Sequence, residues 1–234
     1  MDNLSYIDFL AEFSIQSAHP GGKAATEAIF KKEEISQKTK ILDVGCGTGE
    51  TASFLAHSFH CEVVAIDPHP TMLKKARERF RNDSVCIQLV EGSVEHLPFE
   101  SETFDHIIIE SVLTFVNVEK SLKECKRVLK EGGTLILNEM TLLEPLSDED
   151  IERLKVFYQF SECNEEHVWK EHLFKAGFKQ IEKLPIYVQD LIEVNELELS
   201  VDMNPQLFDI LDEHERLLDK FKGKMGNSIF HCKK

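Results

Sequence analysis

Ile41-Leu42-Asp43-Val44-Gly45-Cys46-Gly47-Thr48-Gly49-Glu50 is the stretch whose reading decides the fold. Ile41 to Val44 has the apolar density of a short buried strand. Three alternating glycines then turn the chain into a helical pattern that runs from Thr51 to about His60. A side chain at Gly45 or Gly47 would hold a ligand away from the main chain, which is a reason for glycine there. The unpaired N–H groups of a helix N-terminus suit an anion, so an anionic group is expected above Gly47 and Gly49. A dinucleotide fingerprint aligned on Gly45 and Gly47 would put Glu50 in the third glycine position, facing pyrophosphate. That spacing argues against NAD or FAD.

The composition narrows the partners. Lys plus Arg is 27 and Asp plus Glu is 42, a net charge of −15 over 234 residues. Such a balance repels nucleic acid and anionic membrane surfaces, which favours a small-molecule ligand. The six cysteines, at 46, 61, 86, 125, 163 and 232, form no C-x-x-C pair and read as reduced thiols of a cytoplasmic protein. No histidine pair is accompanied by cysteine or carboxylate at a recognised spacing, so no metal is expected. No apolar run approaches the ~18 residues of a membrane span.

Outward from the glycine stretch, strands are expected at Cys61 to Ile66, Val85 to Val90, Phe104 to Ile109, Thr134 to Asn138, Ile181 to Val188 and Asn227 to Cys232. Helices are expected over residues 3 to 17, 24 to 32, 71 to 80 and 119 to 130, after Ser147, after a cap at Asn164, and from Pro205 to Gly223, with Leu207, Leu211, Leu218 and Phe221 inward. The second strand ends at Asp67, 22 residues after Gly45, where a carboxylate can accept from two ribose hydroxyls; capping the next helix is its alternative role. Glu110 and Ser111 follow the fourth strand at the end where ligands gather. There a buried acid would oppose a positive charge or orient a second substrate, unless loop N–H groups take it up. Val112 to Val116 would give the pocket apolar walls. The break at His19-Pro20-Gly21-Gly22 could carry His19 toward a substrate, with Tyr6 nearby. A plain turn with a solvent-exposed imidazole is the more economical reading.

The glycine stretch led by Asp43, the acid Asp67, the Gly92-Ser93-Val94 segment before Leu97-Pro98-Phe99, and Arg127 to Gly133 before a strand together resemble the class I S-adenosylmethionine-dependent methyltransferases. The resemblance extends to about Met140 and is nearest to the small-molecule, quinone-biosynthesis-methyltransferase-like group. It implies an α/β fold: a doubly wound, Rossmann-like, seven-stranded, mostly parallel sheet with an antiparallel last strand. It also implies an N-terminal helical cap over 1–38, a cofactor-binding domain over 39–234 and a helical cap insertion at 190–223. The implied cofactor is S-adenosyl-L-methionine, with S-adenosyl-L-homocysteine as product.

The cofactor residues so implied are Asp43, Gly45, Cys46, Gly47 and Gly49 in the loop, with Asp67, Pro68 and Met72 beyond the second strand. Gly92, Ser93 and Val94 would stand at the adenine edge, with Ser93 where an acid is usual, and Glu110 and Ser111 near the reacting centre. His19, Tyr6 and Glu110 are the candidates for proton transfer, needed only if the attacking atom of the acceptor carries a proton. The expected reaction is in-line methyl transfer to a small molecule by a monomer or homodimer. A non-catalytic cofactor-binding or partner subunit is the alternative, with arsenite methylation behind it.

Overall fold

A computed structural model describes residues 4–15, 19–83, 85–186 and 204–234. In chain order the elements are α1 (Tyr6–Glu12), α2 (Gly22–Phe30), β1 (Lys40–Val44), α3 (Glu50–Phe59), β2 (Glu62–Asp67), α4 (Pro70–Asn82), β3 (Ile87–Glu91) and β4 (Phe104–Glu110). A 3-10 turn (Leu113–Phe115) follows, then α5 (Val118–Val128), β5 (Leu129–Leu142), α6 (Asp148–Tyr158), α7 (Glu166–Lys175), β6 (Gln180–Lys183), α8 (Gln206–Lys220) and β7 (Met225–Lys233).

The inner strands are β-branched and apolar on both faces, as parallel strands covered on both sides must be. Their side chains alternate between two cores. Leu42, Val44, Val64, Ile66, Ile107, Ile109, Leu135 and Leu137 pack against Leu122, Cys125 and Val128 of α5 and Trp169 and Leu173 of α7. Ile41, Val63, Ala65, Ile108 and Ile136 face the other way, onto Ala25 and Ile29 of α2, Leu55 of α3 and Phe80 of α4. The result is a seven-stranded sheet in the order β3-β2-β1-β4-β5-β7-β6. β1 pairs in parallel with both β2 and β4, and β7 is antiparallel to β5 and β6. Strand order therefore reverses at β1 and β4, which is where a doubly wound sheet opens a crevice beyond its carboxyl ends.

Several expectations need correction. The first helix spans only Tyr6–Glu12, closed at its start by a reciprocal Ser5–Asp8 capping box. β5 begins at Leu129, so Glu131-Gly132-Gly133 is not the helix-to-strand turn. Phe104 pairs with Leu129 and His106 with Thr134, so the glycines form a bulge inside the strand, with Gly132 at φ +72°. Asn164 does not cap α7: Glu165 stands at that position, and the Asn164 side chain donates to Glu162. On α8, Leu207 is buried as expected, as is Phe221 just beyond the helix, but Leu217 takes the inward place expected of Leu218, which is exposed. The sixth strand is the short Gln180–Lys183, and its expected end at Val188, like residues 190–203 of the expected cap insertion, lies outside the described residues.

The turn after β4 is held by one buried acid. Glu139 of β5 is fully buried, and its Oε1 accepts from the Val112 and Leu113 N–H groups at 2.9 and 2.8 Å, while Oε2 accepts from the Thr114 hydroxyl at 2.8 Å. Burial pushes its pKa up to about 7 despite those bonds. An acid with a raised folded-state pKa stays protonated in the fold while the unfolded chain ionises, so stability falls as pH climbs from about 4.5 to about 7. Glu139→Gln keeps an acceptor for the two N–H groups and offers an N–H to Thr114. Chemical unfolding across that pH range should show the wild type losing about 3 kcal/mol more than Glu139→Gln. Parallel pH profiles would remove Glu139 as the source.

Candidate active site

A cavity of about 410 Å³ lies at the carboxyl ends of β1, β2 and β4, walled by the glycine loop, the start of α4, the turn after β4 and the inner face of α1. Each wall follows from a local feature of the sequence. Gly45, Gly47 and Gly49 all have positive φ, which is what lets the chain leave β1 and enter α3 within five residues. Their surroundings differ. A Cβ on Gly45 would collide with Val112 Cγ2, and one on Gly49 would sit 2.6 Å from the Phe80 ring. At Gly47 the nearest neighbour would be Met72 Sδ at 3.9 Å. Beside Gly47, therefore, space is left open to the cavity, whereas Gly45 and Gly49 make room for the protein itself.

Four of the loop's N–H groups are already engaged by the protein itself. Gly45 and Cys46 N–H both donate to Ile66 O, Gly49 N–H to Cys46 O, and Gly47 N–H to Asp67 Oδ2 at 2.9 Å. At the head of α3, the Ala52 N–H bonds the Asp43 carboxylate. Asp67 and Asp43 thus each take up one N–H group beside the place expected for an anionic ligand group. Asp43, Asp67 and Glu110 all line the cavity and are buried, and no lysine or arginine lines it among the described residues. Burial pushes the Asp43 carboxyl well above the usual carboxylate range, with the charges of Glu110 and Asp67 adding to it. Its Oδ2 has no hydrogen-bond partner among the described residues. Burial likewise raises Asp67, whose oxygens accept from the Gly47 and His69 N–H groups. His69, not Asp67, stands at the N-cap of α4. The electrostatics of this site call for a cation.

Glu110 is a hub. Its Oε1 accepts from the Thr26 hydroxyl and its Oε2 from the Thr51 hydroxyl, both at 2.8 Å, and His19 Nδ1 stands 3.4 Å from Oε1. The acid therefore ties α2 to α3 through hydroxyls, not loop N–H groups. His19 is only 6% exposed, so the exposed-imidazole reading is wrong. It is buried because Asn138 at the end of the β4-facing part of β5 captures the turn, donating to Pro20 O at 3.1 Å with His19 Nδ1 3.3 Å away. Its Nε2 is buried without a partner among the described residues.

The remaining wall is apolar. Tyr6, Ile7 and Leu10 of α1, with Ile15, face Met72, Phe115 and Val116. α1 is seated on α4 by Asp8 Oδ1, 3.2 Å from His69 Nε2, and by the Phe9, Leu10, Phe13, Met72 and Leu207 cluster. Tyr6 packs edge-on to Tyr158, and burial pushes its phenol far above the ordinary range, which keeps it protonated.

Of the residues singled out in the sequence, Asp43, Gly45, Cys46, Gly47, Asp67, Pro68, Met72, Glu110 and Ser111 meet in the cavity, together with His19 and Tyr6. Gly49, Gly92, Ser93 and Val94 stand outside its lining: Val94 is core, the Ser93 hydroxyl accepts from Glu95 N–H, and Gly92 N–H donates to Asp67 O. Thr26, Thr51 and Asn138 escaped sequence reasoning. Thr51 alone left a signal, as the polar residue of the first helical turn after the glycines.

Comparison with known proteins bears on this site. Residues 42–137 match the family described as a methyltransferase domain. The chain is 37% identical over 227 residues to the uncharacterized methyltransferase YodH of Bacillus subtilis, covering 96% of this chain and 97% of that one. It is 36% identical over 127 residues to the ubiquinone/menaquinone biosynthesis C-methyltransferase UbiE of Haemophilus ducreyi, with 52% of this chain and 48% of that one covered. Phosphoethanolamine N-methyltransferase 2 of Haemonchus contortus, solved in complex with S-adenosyl-L-methionine, shares the fold at TM-score 0.80 and 18% identity, over 97% of this chain and 56% of that one.

The glycines can be told apart by stability. Gly47→Ala should cost the strain of a left-handed non-glycine residue, about 1–2 kcal/mol. Gly45→Ala must also displace Val112 and should lose a further ~1–3 kcal/mol in urea unfolding. Equal losses would mean that Val112 does not fill the space beside Gly45.

Proposed function

We propose, because the chain belongs to the class I S-adenosylmethionine-dependent methyltransferases, that it passes the cofactor's methyl group in line to a small molecule held under α1. The observation that carries this reading is the cavity lined by three carboxylates with little side-chain exposure and, among the described residues, by no lysine or arginine. S-adenosylmethionine supplies a methyl already activated by a sulfonium and brings a second positive charge on its ammonium. Asp43, with its unpartnered Oδ2, is the acid suited to the ammonium. Asp67 keeps lone pairs on both oxygens for two ribose hydroxyls, and Gly47 gives the space for close approach.

The protein then has to align the acceptor and exclude water. Ile7, Leu10, Ile15, Phe115 and Val116 do the second and favour an acceptor with a substantial apolar body. Polar contact with it falls to His19. Tyr6 stays protonated and serves as a wall, and Glu110, already holding two hydroxyls, braces α2 against α3 beside His19. A small acceptor also agrees with the net charge of −15, which opposes approach to nucleic acid.

Calorimetric titration with S-adenosylmethionine and S-adenosylhomocysteine, with NAD as control, tests the cofactor site. Both sulfur ligands should bind and NAD should not, and Asp67→Ala should weaken them about tenfold or more. A cationic ligand pulls the raised Asp43 pKa back down, so a proton leaves on binding and affinity rises with pH. The observed enthalpy should thus depend on the buffer's ionisation enthalpy, a dependence that Asp43→Asn reduces. No binding by either sulfur ligand would sink this reading for the chain acting alone.

A further inference from the structure

The Asn138 side chain reaches the cavity through His19, and its amide is fixed from two sides. Its Oδ1 accepts from Asn227 Nδ2 of β7 at 2.9 Å, and its Nδ2 donates to Pro20 O at 3.1 Å. A flipped amide would set Oδ1 against the Pro20 carbonyl, which has no proton to give, so Nδ2 must be the atom facing the turn. The second hydrogen on Nδ2 is then directed at His19 Nδ1, 3.3 Å away. An amide nitrogen only donates. Nδ1 must therefore accept, and the single proton of the neutral imidazole lies on Nε2. Glu110 Oε1, 3.4 Å from the same Nδ1, would favour the opposite arrangement, but that approach forms no hydrogen bond, whereas the one from Asn138 does.

We propose that Asn138 is a positioning residue that fixes His19 as the Nε2–H tautomer, so that His19 presents a hydrogen-bond donor to an oxygen of a molecule bound in the cavity. His19 is buried, lines the cavity, and has no partner at Nε2 among the described residues. A buried N–H without an acceptor is costly, and a ligand oxygen removes that cost. His19 then orients a ligand and does not take a proton from it. Two ligand oxygens share this chemistry: the carboxylate of the cofactor's amino-acid end, and a carbonyl or hydroxyl of the methyl acceptor. The source of the oxygen rests on the methyl-transfer reading; the tautomer does not.

Nitrogen-15 NMR of the full chain decides the matter, using two-bond proton–nitrogen correlations of the imidazoles at alkaline pH, with His19 assigned by its loss in His19→Gln. The expected spectrum has a protonated Nε2 and a bare Nδ1. Asn138→Asp, which can only accept at that position, should move the proton to Nδ1. A bare Nε2 in the wild type would overturn the proposal, even if the Asn138 variant failed to fold. Saturating S-adenosylhomocysteine then identifies the oxygen. A shifted Nε2–H resonance assigns it to the cofactor carboxylate, an unshifted one to the acceptor, and loss of the Nε2 proton on binding would again overturn the donor role. Failure of the probe to bind would count against the methyl-transfer reading and leave the tautomer result standing.

Discussion

The cavity exists because two loops are pressed together where strand order reverses. Val112 occupies the volume that a side chain at position 45 would need, and Glu139 holds the Val112 and Leu113 N–H groups so that Val112 stays there. Dense packing makes such a contact selective for one arrangement. With Val112 in place, Gly45 can leave β1 at φ +67°, the glycine loop turns into α3, and Asp43 comes to the head of that helix. A carboxylate in the sheet thus shapes the site without lining it.

The fold was legible because its signals are local. Near-continuous apolar runs along Ile41 to Val44, Val63 to Ile66 and Ile107 to Ile109 mark strands that must be covered on both faces, and the glycines mark the turn between the first of them and α3. The antiparallel last strand, which the family resemblance implied, is present as β7 between β5 and β6. Boundaries failed where pairing overrides propensity. Gly132 and Gly133 look like a turn, yet β4 offers partners on either side of them and draws them into the strand as a bulge.

The site was legible in part, for the same reason. Asp43, Asp67 and Glu110 could be placed at strand ends, but the sequence does not show whether the N–H groups beside them are free. It pointed to an anion at the glycine loop; the structure engages the Gly45, Cys46, Gly47 and Gly49 N–H groups internally and sets three carboxylates beside them. Thr26 meets Glu110 across 84 positions and Asn138 meets His19 across 119. No periodicity or spacing within one element encodes pairings at such separations. His19 looked like a turn residue because only its neighbours Pro20, Gly21 and Gly22 were visible.

His69 connects the N-terminal helix to the Asp67 end of the cavity, beside the bonds that Lys75 of α4 makes to Glu12 O and the Ser14 hydroxyl. Its backbone N–H bonds Asp67 and its ring faces Asp8 of α1. Seating of the N-terminal helix and occupation of the Asp67 end of the cavity therefore act on one residue. For a ligand bound as proposed at Asp67, linkage makes such an arrangement reciprocal: the factor by which a seated α1 would tighten that binding equals the factor by which the binding would tighten the seating of α1. A substitution on the outer face of α1 that loosens its hold on α4 is thus felt as affinity at a carboxylate it never touches.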